Sequence, residues 1–175
     1  GVSFTSPVDV SVDKRRAQLY FSTDEGFIYR SDVDGAGFGV WADLSGTEYA
    51  PKGLSVDTAN GVVYVAGESS IYTIDTDDAS VKTTIYSGVQ SPYGVSVDWE
   101  QDIVFWTHEQ GVSYGSLDGS KEETAVALIY DARFVYIKYE ATPTPMPTPV
   151  PTSVPTAVPT AVPTSVPTGL PTPVP

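Results

Sequence analysis

The sequence of 175 residues contains no cysteine, one histidine and one methionine. Without cysteine there is neither a disulfide framework nor a thiolate metal site. No apolar run reaches the length of a membrane span, so no membrane insertion is expected of this segment. Basic residues are scarce, with nine Lys and Arg against 22 Asp and Glu, a formal net charge of −13. A chain so poor in positive charge has no patch with which to neutralise phosphates. Nucleic acid and anionic membrane surfaces are therefore not expected as partners. An acidic surface also serves ordinary solubility. Charge of either sign is missing from Ala141 onward, and twelve of the fifteen prolines lie there. The chain opens at Gly1 without an initiator methionine or a basic-then-apolar leader, and is expected to be a fragment or a processed product.

The remaining prolines, Pro7, Pro51 and Pro92, open three copies of one pattern. Each stands six residues before an aspartate, Asp13, Asp57 or Asp98, that closes a Ser-Val-Asp triplet. Seven residues after each aspartate comes an aromatic, Tyr20, Tyr64 or Phe105. The aspartates are 44 and 41 positions apart. A period of about 40 residues is the mark of stacked repeats rather than of a single-core domain.

Each repeat supports four short strands. In the first they are VDVSV, QLYFS, FIYRSDV and GVWADL; in the second GLSV, GVVYVA, SIYTID and VKTTIYS; in the third GVSV, DIVFWT, GVSYGSL and TAVALIY. β-Branched and aromatic residues fill the runs, and Gly, Asp, Asn and Ser fill the gaps. The expected fold class is all-β. Residues 1–140 are expected to form a partial β-propeller of three four-stranded blades, about 7–50, 51–91 and 92–133, and FVYIKYE at 134–140 opens a fourth. The first strands, with the least polar alternation, are expected to be the most buried. A WD40 propeller is excluded by the lack of a Trp-Asp dipeptide and of the Gly-His signature, and the kelch period is too long.

Ile103-Val104-Phe105-Trp106-Thr107 followed by Leu117-Asp118-Gly119 resembles the YWTD repeat (low-density lipoprotein receptor class B) of six-bladed propellers. Tyr20-Phe21-Ser22-Thr23 with Val33-Asp34-Gly35 is similar to it, and Tyr64-Val65-Ala66-Gly67 with Ile74-Asp75 more distantly. The resemblance implies a six-bladed ring, and its class includes NHL-repeat and gluconolactonase-like relatives. In the family an Asp after the Thr ties neighbouring blades together; here that position holds Thr23, Gly67 and His108.

From Pro143 the tail repeats every four residues. Such density of proline blocks helix and central strand, so residues 141–175 are expected to be a disordered polyproline II stalk reaching on the order of 110 Å. All tail prolines fall on odd positions, so the Pro-x-x-Pro spacing of an SH3-type ligand never occurs. The composition suits a mucin-like or hydroxyproline-rich stalk. Thr144, Thr148, Thr152, Thr156, Thr160, Thr164, Thr168 and Thr172 are the candidate O-glycan acceptors, and an unmodified linker is the alternative.

Catalytic chemistry finds little to stand on. A catalytic residue is needed once, whereas the Ser-Val-Asp aspartates recur in every unit, which marks them as turn-closing residues. His108 has no Cys partner, no Gly-x-Ser-x-Gly elbow accompanies it, and it reads as a turn residue. Asp75 to Asp78 lacks the Gly and Glu of a calcium loop and reads as a hairpin turn. Trp41, Trp99 and Trp106 either line a recognition face or pack blade against blade, and packing should account for most of them. No catalytic, metal or cofactor residue is assigned and no cofactor is expected.

The function expected is a non-enzymatic binding or scaffold module, extracellular or associated with a cell surface or wall. Its partners would be a protein or glycan ligand, and either the remaining blades of a parent chain or a second copy. The alternative is a fragment of a gluconolactonase-like or strictosidine-synthase-like propeller hydrolase, which needs carboxylates and amides converging on the ring axis.

Overall fold

The structure, a computed structural model, describes residues 6–127 together with Arg133 and Val135. The tail at 141–175 with its threonines from Thr144 to Thr172, and the strand expected at 134–140 apart from Val135, lie outside the described residues.

Twelve strands run in chain order. The first sheet holds β1 (Pro7–Asp13), β2 (Gln18–Thr23), β3 (Phe27–Asp32) and β4 (Gly39–Asp43). The second holds β5 (Leu54–Asp57), β6 (Val62–Ala66), β7 (Ser70–Asp75) and β8 (Lys82–Ser87). The third holds β9 (Val95–Asp98), β10 (Ile103–His108), β11 (Gly111–Ser116) and β12 (Glu122–Ala127). Every pairing is antiparallel between sequence neighbours, as short polar turns between alternating runs demand. The described residues contain no helix, hence none long and apolar enough to cross a membrane.

One turn is built three times. Asp13 Oδ1 accepts the backbone N–H groups of Arg15 and Arg16, Asp57 Oδ1 those of Ala59 and Asn60, and Asp98 Oδ1 those of Glu100 and Gln101. All three carboxylates are buried. The fourth residue after each aspartate takes a left-handed backbone, with φ of 54° at Ala17, 70° at Gly61 and 59° at Asp102. Only Gly61 adopts it without a steric penalty.

The sheets stand side by side, β1 beside β5 and β5 beside β9. Between the first two, Tyr20, Ile28 and Leu44 pack on Leu54, Val63, Val65 and Tyr72. Between the second and third, Tyr64, Ile71 and Tyr86 pack on Val95, Val97, Val104 and Trp106.

The expectation that first strands are the most buried needs correction. All four residues of β9 are buried, but in the second sheet β6 and β7 are more enclosed than β5. In the first sheet β1 is the least enclosed, with Val10 54% and Val12 43% exposed. Polar alternation within a strand does not set its burial here. A strand's enclosure depends on a sheet packing against its backward face, and β1 has no preceding sheet among the described residues.

Candidate functional site

The first strands β1, β5 and β9 line a shared wall. A cavity of about 310 Å³ opens on it, bordered by Asp9, Ser11, Ser55, Ser96, Val95 and Val135. The antiparallel ladder leaves each first strand with one unpaired edge, whose N–H groups need acceptors. Side chains of the preceding sheet supply them. Asp9 Oδ2 accepts Leu54 N–H at 2.8 Å, Ser11 Oγ accepts Val56 N–H at 3.1 Å, and Ser55 Oγ accepts Val97 N–H at 3.1 Å. Asp9 Oδ1 accepts the N–H of Val10 at 2.8 Å. Burial pushes the Asp9 carboxyl up, and the Leu54 and Val10 N–H groups only partly offset this.

The joints carry further ties. The Tyr86 hydroxyl, from β8, meets the carbonyls of Ser116 and Lys121 in the third sheet. Gly115 has to be glycine there, because a Cβ would sit on that hydroxyl. The Ser22 hydroxyl donates to the Lys52 carbonyl of the second unit. Arg16 bonds Asp13 at 3.2 Å and reaches Asp77 at 3.4 Å, an exposed pair that adds little.

The repeat-position residues fall as follows. Tyr20 and Tyr64 are buried, each on the forward face of its sheet against the next one, and burial pushes the phenol pKa of both upward. Phe105 occupies the same register in the third sheet, half-buried, with its ring 5.6 Å from Tyr114. Pro7 begins β1 and is exposed, whereas Pro51 and Pro92 are buried in the loops before β5 and β9. Tyr93, next to Pro92, has Lys52 at 4.9 Å and Arg133 at 5.6 Å from its ring centroid.

Thr23 Oγ1 accepts the N–H of Phe27, and His108 accepts that of Gln110 and bonds Ser113. The position of the YWTD aspartate thus closes its own hairpin in the first and third sheets. Ties between sheets are made instead by Asp9, Ser11, Ser55 and Tyr86. Trp106 is fully buried in the second joint, Trp41 packs edge-on against Tyr20 at 4.9 Å, and Trp99 is 43% exposed in a turn. Asp75 and Asp78 accept backbone N–H groups of their own turn. Among the described residues no group of three or more His, Cys, Asp or Glu is placed to hold a metal ion. The joint serines were not singled out from the sequence. Their signal was present, since Ser11, Ser55 and Ser96 are the first letters of the repeated triplet.

No protein-family model and no curated protein matches the chain. Solved structures do. One is a chain in the crystal structure of a nidogen/laminin complex, with TM-score 0.63 and 15% identity over 69% of this chain and 48% of that one. Another is a gluconolactonase from Xanthomonas campestris, with TM-score 0.51 and 18% identity over 62% of this chain and 36% of that one. The fold is a β-propeller. Its three described sheets are four-stranded blades. The chain spans about half the length of the first of these structures and about a third of the second. At such identities the likeness extends to the fold alone.

Proposed function

We propose that the chain is a non-enzymatic binding or scaffold module of an extracellular or wall-associated protein, with its propeller blades carried on the Pro/Thr segment. The observation that carries this reading is the use made of the repeated polar residues. Asp13, Asp57 and Asp98 are each occupied by two backbone N–H groups, and Ser11 and Ser55 by the next blade. What recurs is frame, and recognition is ordinarily built on the loops that such a frame positions. The nidogen/laminin structure is a complex between proteins, which favours a macromolecular ligand.

The rival reading is a hydrolase on the same fold, to which the gluconolactonase likeness lends support. On the described part of the axial wall the carboxylate is Asp9, whose two oxygens already accept backbone N–H groups. The deciding experiment assays lactone and ester hydrolysis with and without calcium, beside binding of the immobilised chain to extracellular proteins and glycans. Binding without turnover is expected; calcium-dependent stabilisation together with hydrolysis would replace this reading by the rival. The spacer role of the tail is tested by ending the chain at Thr142. Hydrodynamic radius should drop markedly while thermal midpoint and ligand affinity stay put; loss of binding by a folded body would refute it.

A further inference from the structure

Asn60 is the chain's only asparagine, it is exposed, and Gly61 follows it. Asn-Gly is among the dipeptides most prone to lose a side-chain amide, because glycine puts no side chain in the way of its own nitrogen. The Gly61 nitrogen, having given its proton to solvent, bonds to Asn60 Cγ. The bond from Cγ to the side-chain nitrogen breaks, and that nitrogen leaves as ammonia. Water then opens the cyclic imide at one of its two carbonyls, giving either aspartate or isoaspartate, in which the main chain runs through the former side chain. Nothing is oxidised or reduced, and water is the co-reactant.

The β5–β6 turn holds both reacting groups. The Asp57 carbonyl accepts the Gly61 N–H at 3.0 Å, so the attacking nitrogen is tied down with its proton in place. Asp57 Oδ2 accepts from Asn60 Nδ2 at 2.7 Å, which holds the amide that would be attacked. Asp57 Oδ1 takes the backbone N–H of Asn60 at 3.0 Å as well. One buried residue thus fixes the nucleophile, the electrophile and the chain between them. The other two blades carry Arg16-Ala17 and Gln101-Asp102 at this place, so among the described blades the second combines the reactive pair with the clamp.

The same clamp rejects the product. An aspartate at position 60 sets a carboxylate against Asp57 Oδ2, where the amide now donates. Like charges at hydrogen-bond distance repel, and the burial of Asp57 strengthens the repulsion. Arg16, which a Cβ on Gly61 would meet at 3.3 Å, already bonds Asp13 and Asp77. Isoaspartate also lengthens the main chain and shifts the Gly61 carbonyl, which accepts the N–H of Thr76 at 3.0 Å and its hydroxyl at 2.8 Å.

We propose that Asn60-Gly61 is a self-modification site gated by Asp57: the closed turn preserves the amide, and an opened turn converts it to an acid that keeps the turn from closing as before. This goes beyond the binding-module reading and does not depend on it.

The test follows Asn60 by peptide mass spectrometry in the whole chain near neutral pH, through the gain in mass from amide to acid. The folded chain should lose the amide about tenfold or more slowly than the same chain unfolded in guanidinium chloride, since reaction from an opened turn is slowed by the time the turn spends closed. Asp57→Ala should raise the folded-state rate toward the unfolded value. Asp98→Ala, which removes the equivalent clamp from the third blade, should not, and so separates the clamp from general loss of stability. Asn60→Asp should melt below the parent chain. Equal rates in the folded and unfolded parent overturn the proposal. So does an Asp98→Ala rate as high as that of Asp57→Ala, or an Asn60→Asp midpoint at or above the parent's. If Asp57→Ala fails to fold, the parent's two rates and the Asn60→Asp midpoint decide.

Discussion

Ser11 Oγ accepts the backbone N–H of Val56 across the first blade joint at 3.1 Å, and Ser55 repeats the bond to Val97 across the second. One hydroxyl per joint therefore ends a strand edge that the sheet itself leaves unpaired. Ser11→Ala and Ser55→Ala should each lower stability by about 1–2 kcal/mol, the cost of a stranded N–H. Chemical denaturation reads this directly. Unchanged midpoints in both variants would show that solvent reaches those N–H groups and that the serines contribute nothing.

Ala17 and Gly61 occupy one repeat position with the same left-handed backbone. Alanine pays about 1–2 kcal/mol for that conformation, and glycine loses part of the difference to its freer unfolded chain. Ala17→Gly is expected to stabilise by about 0.5–1 kcal/mol. Gly61→Ala should destabilise by at least as much, since its Cβ would also crowd Arg16 and Thr76 at 3.3 Å. Opposite signs at equivalent sites are the outcome to look for in paired melts; equal signs would contradict the shared-turn account.

The turn aspartates separate by their second oxygen. At Asp98 the two backbone donors bond Oδ1. Asp57 Oδ2 also accepts Asn60 Nδ2 at 2.7 Å, and Asp13 Oδ2 accepts Arg16 Nη1 at 3.2 Å. Asp98→Asn should therefore be nearly neutral while Asp98→Ala costs about 1–3 kcal/mol. At positions 13 and 57 asparagine should fail as well, because its amide meets another donor. Thermal midpoints of the six variants give the order.

Asp9 sets a pH dependence of known sign. Its folded pKa is raised by burial, so the native state holds this proton more tightly than the unfolded chain does. The contribution is present at acid pH and is lost as pH rises through the raised value. Relative to Asp9→Asn, the protein should thus be more stable at about pH 3 than at about pH 7, where the buried carboxylate is charged. Midpoints of both proteins across that range provide the comparison. A difference that grows with pH would mean that the Leu54 and Val10 hydrogen bonds outweigh desolvation.

Val10 and Val12 correspond in register to Leu54 and Val56 and to Val95 and Val97. Leu54, Val95 and Val97 are 4%, 4% and 7% exposed, against 54% and 43% for Val10 and Val12. An apolar strand with an unpaired edge invites pairing with another chain. Self-association that rises with concentration is expected in sedimentation velocity. Val10→Asn with Val12→Asn should reduce it without lowering the midpoint of the dilute chain. A monomer at every concentration would remove this face as the seat of association.

The twelve strands were legible because β-branched and aromatic runs alternate with Gly, Asp and Ser at hairpin spacing. Expected and observed strand bounds differ by a residue or two, as where GLSV pairs from Leu54 rather than Gly53, and residues 128–130 of the expected TAVALIY strand lie outside the described residues. The propeller was legible from the period. What escaped reading is contact between distant positions. Ser11 and Val56 are 45 residues apart, Tyr86 and Lys121 are 35 apart, and no local pattern couples them. The Gln90–Gln110 contact escaped for the same reason, since the two residues meet only after two blades have packed. The exposure of β1 depends on what stands behind it, which lies outside the strand's own letters.

Both joints among the described residues are built from unlike halves. The forward side of a blade brings a tyrosine and side-chain oxygens, whereas the backward side brings apolar side chains and backbone N–H and C=O groups. Two forward sides would leave their side-chain oxygens without the backbone groups they meet here, and two backward sides would leave those backbone groups without side-chain partners. Blades of this kind can therefore be added, removed or exchanged only in one sense of direction, like links that hook at one end and loop at the other. An assembly that reuses these joints is head-to-tail, because unlike faces supply each other's hydrogen bonds.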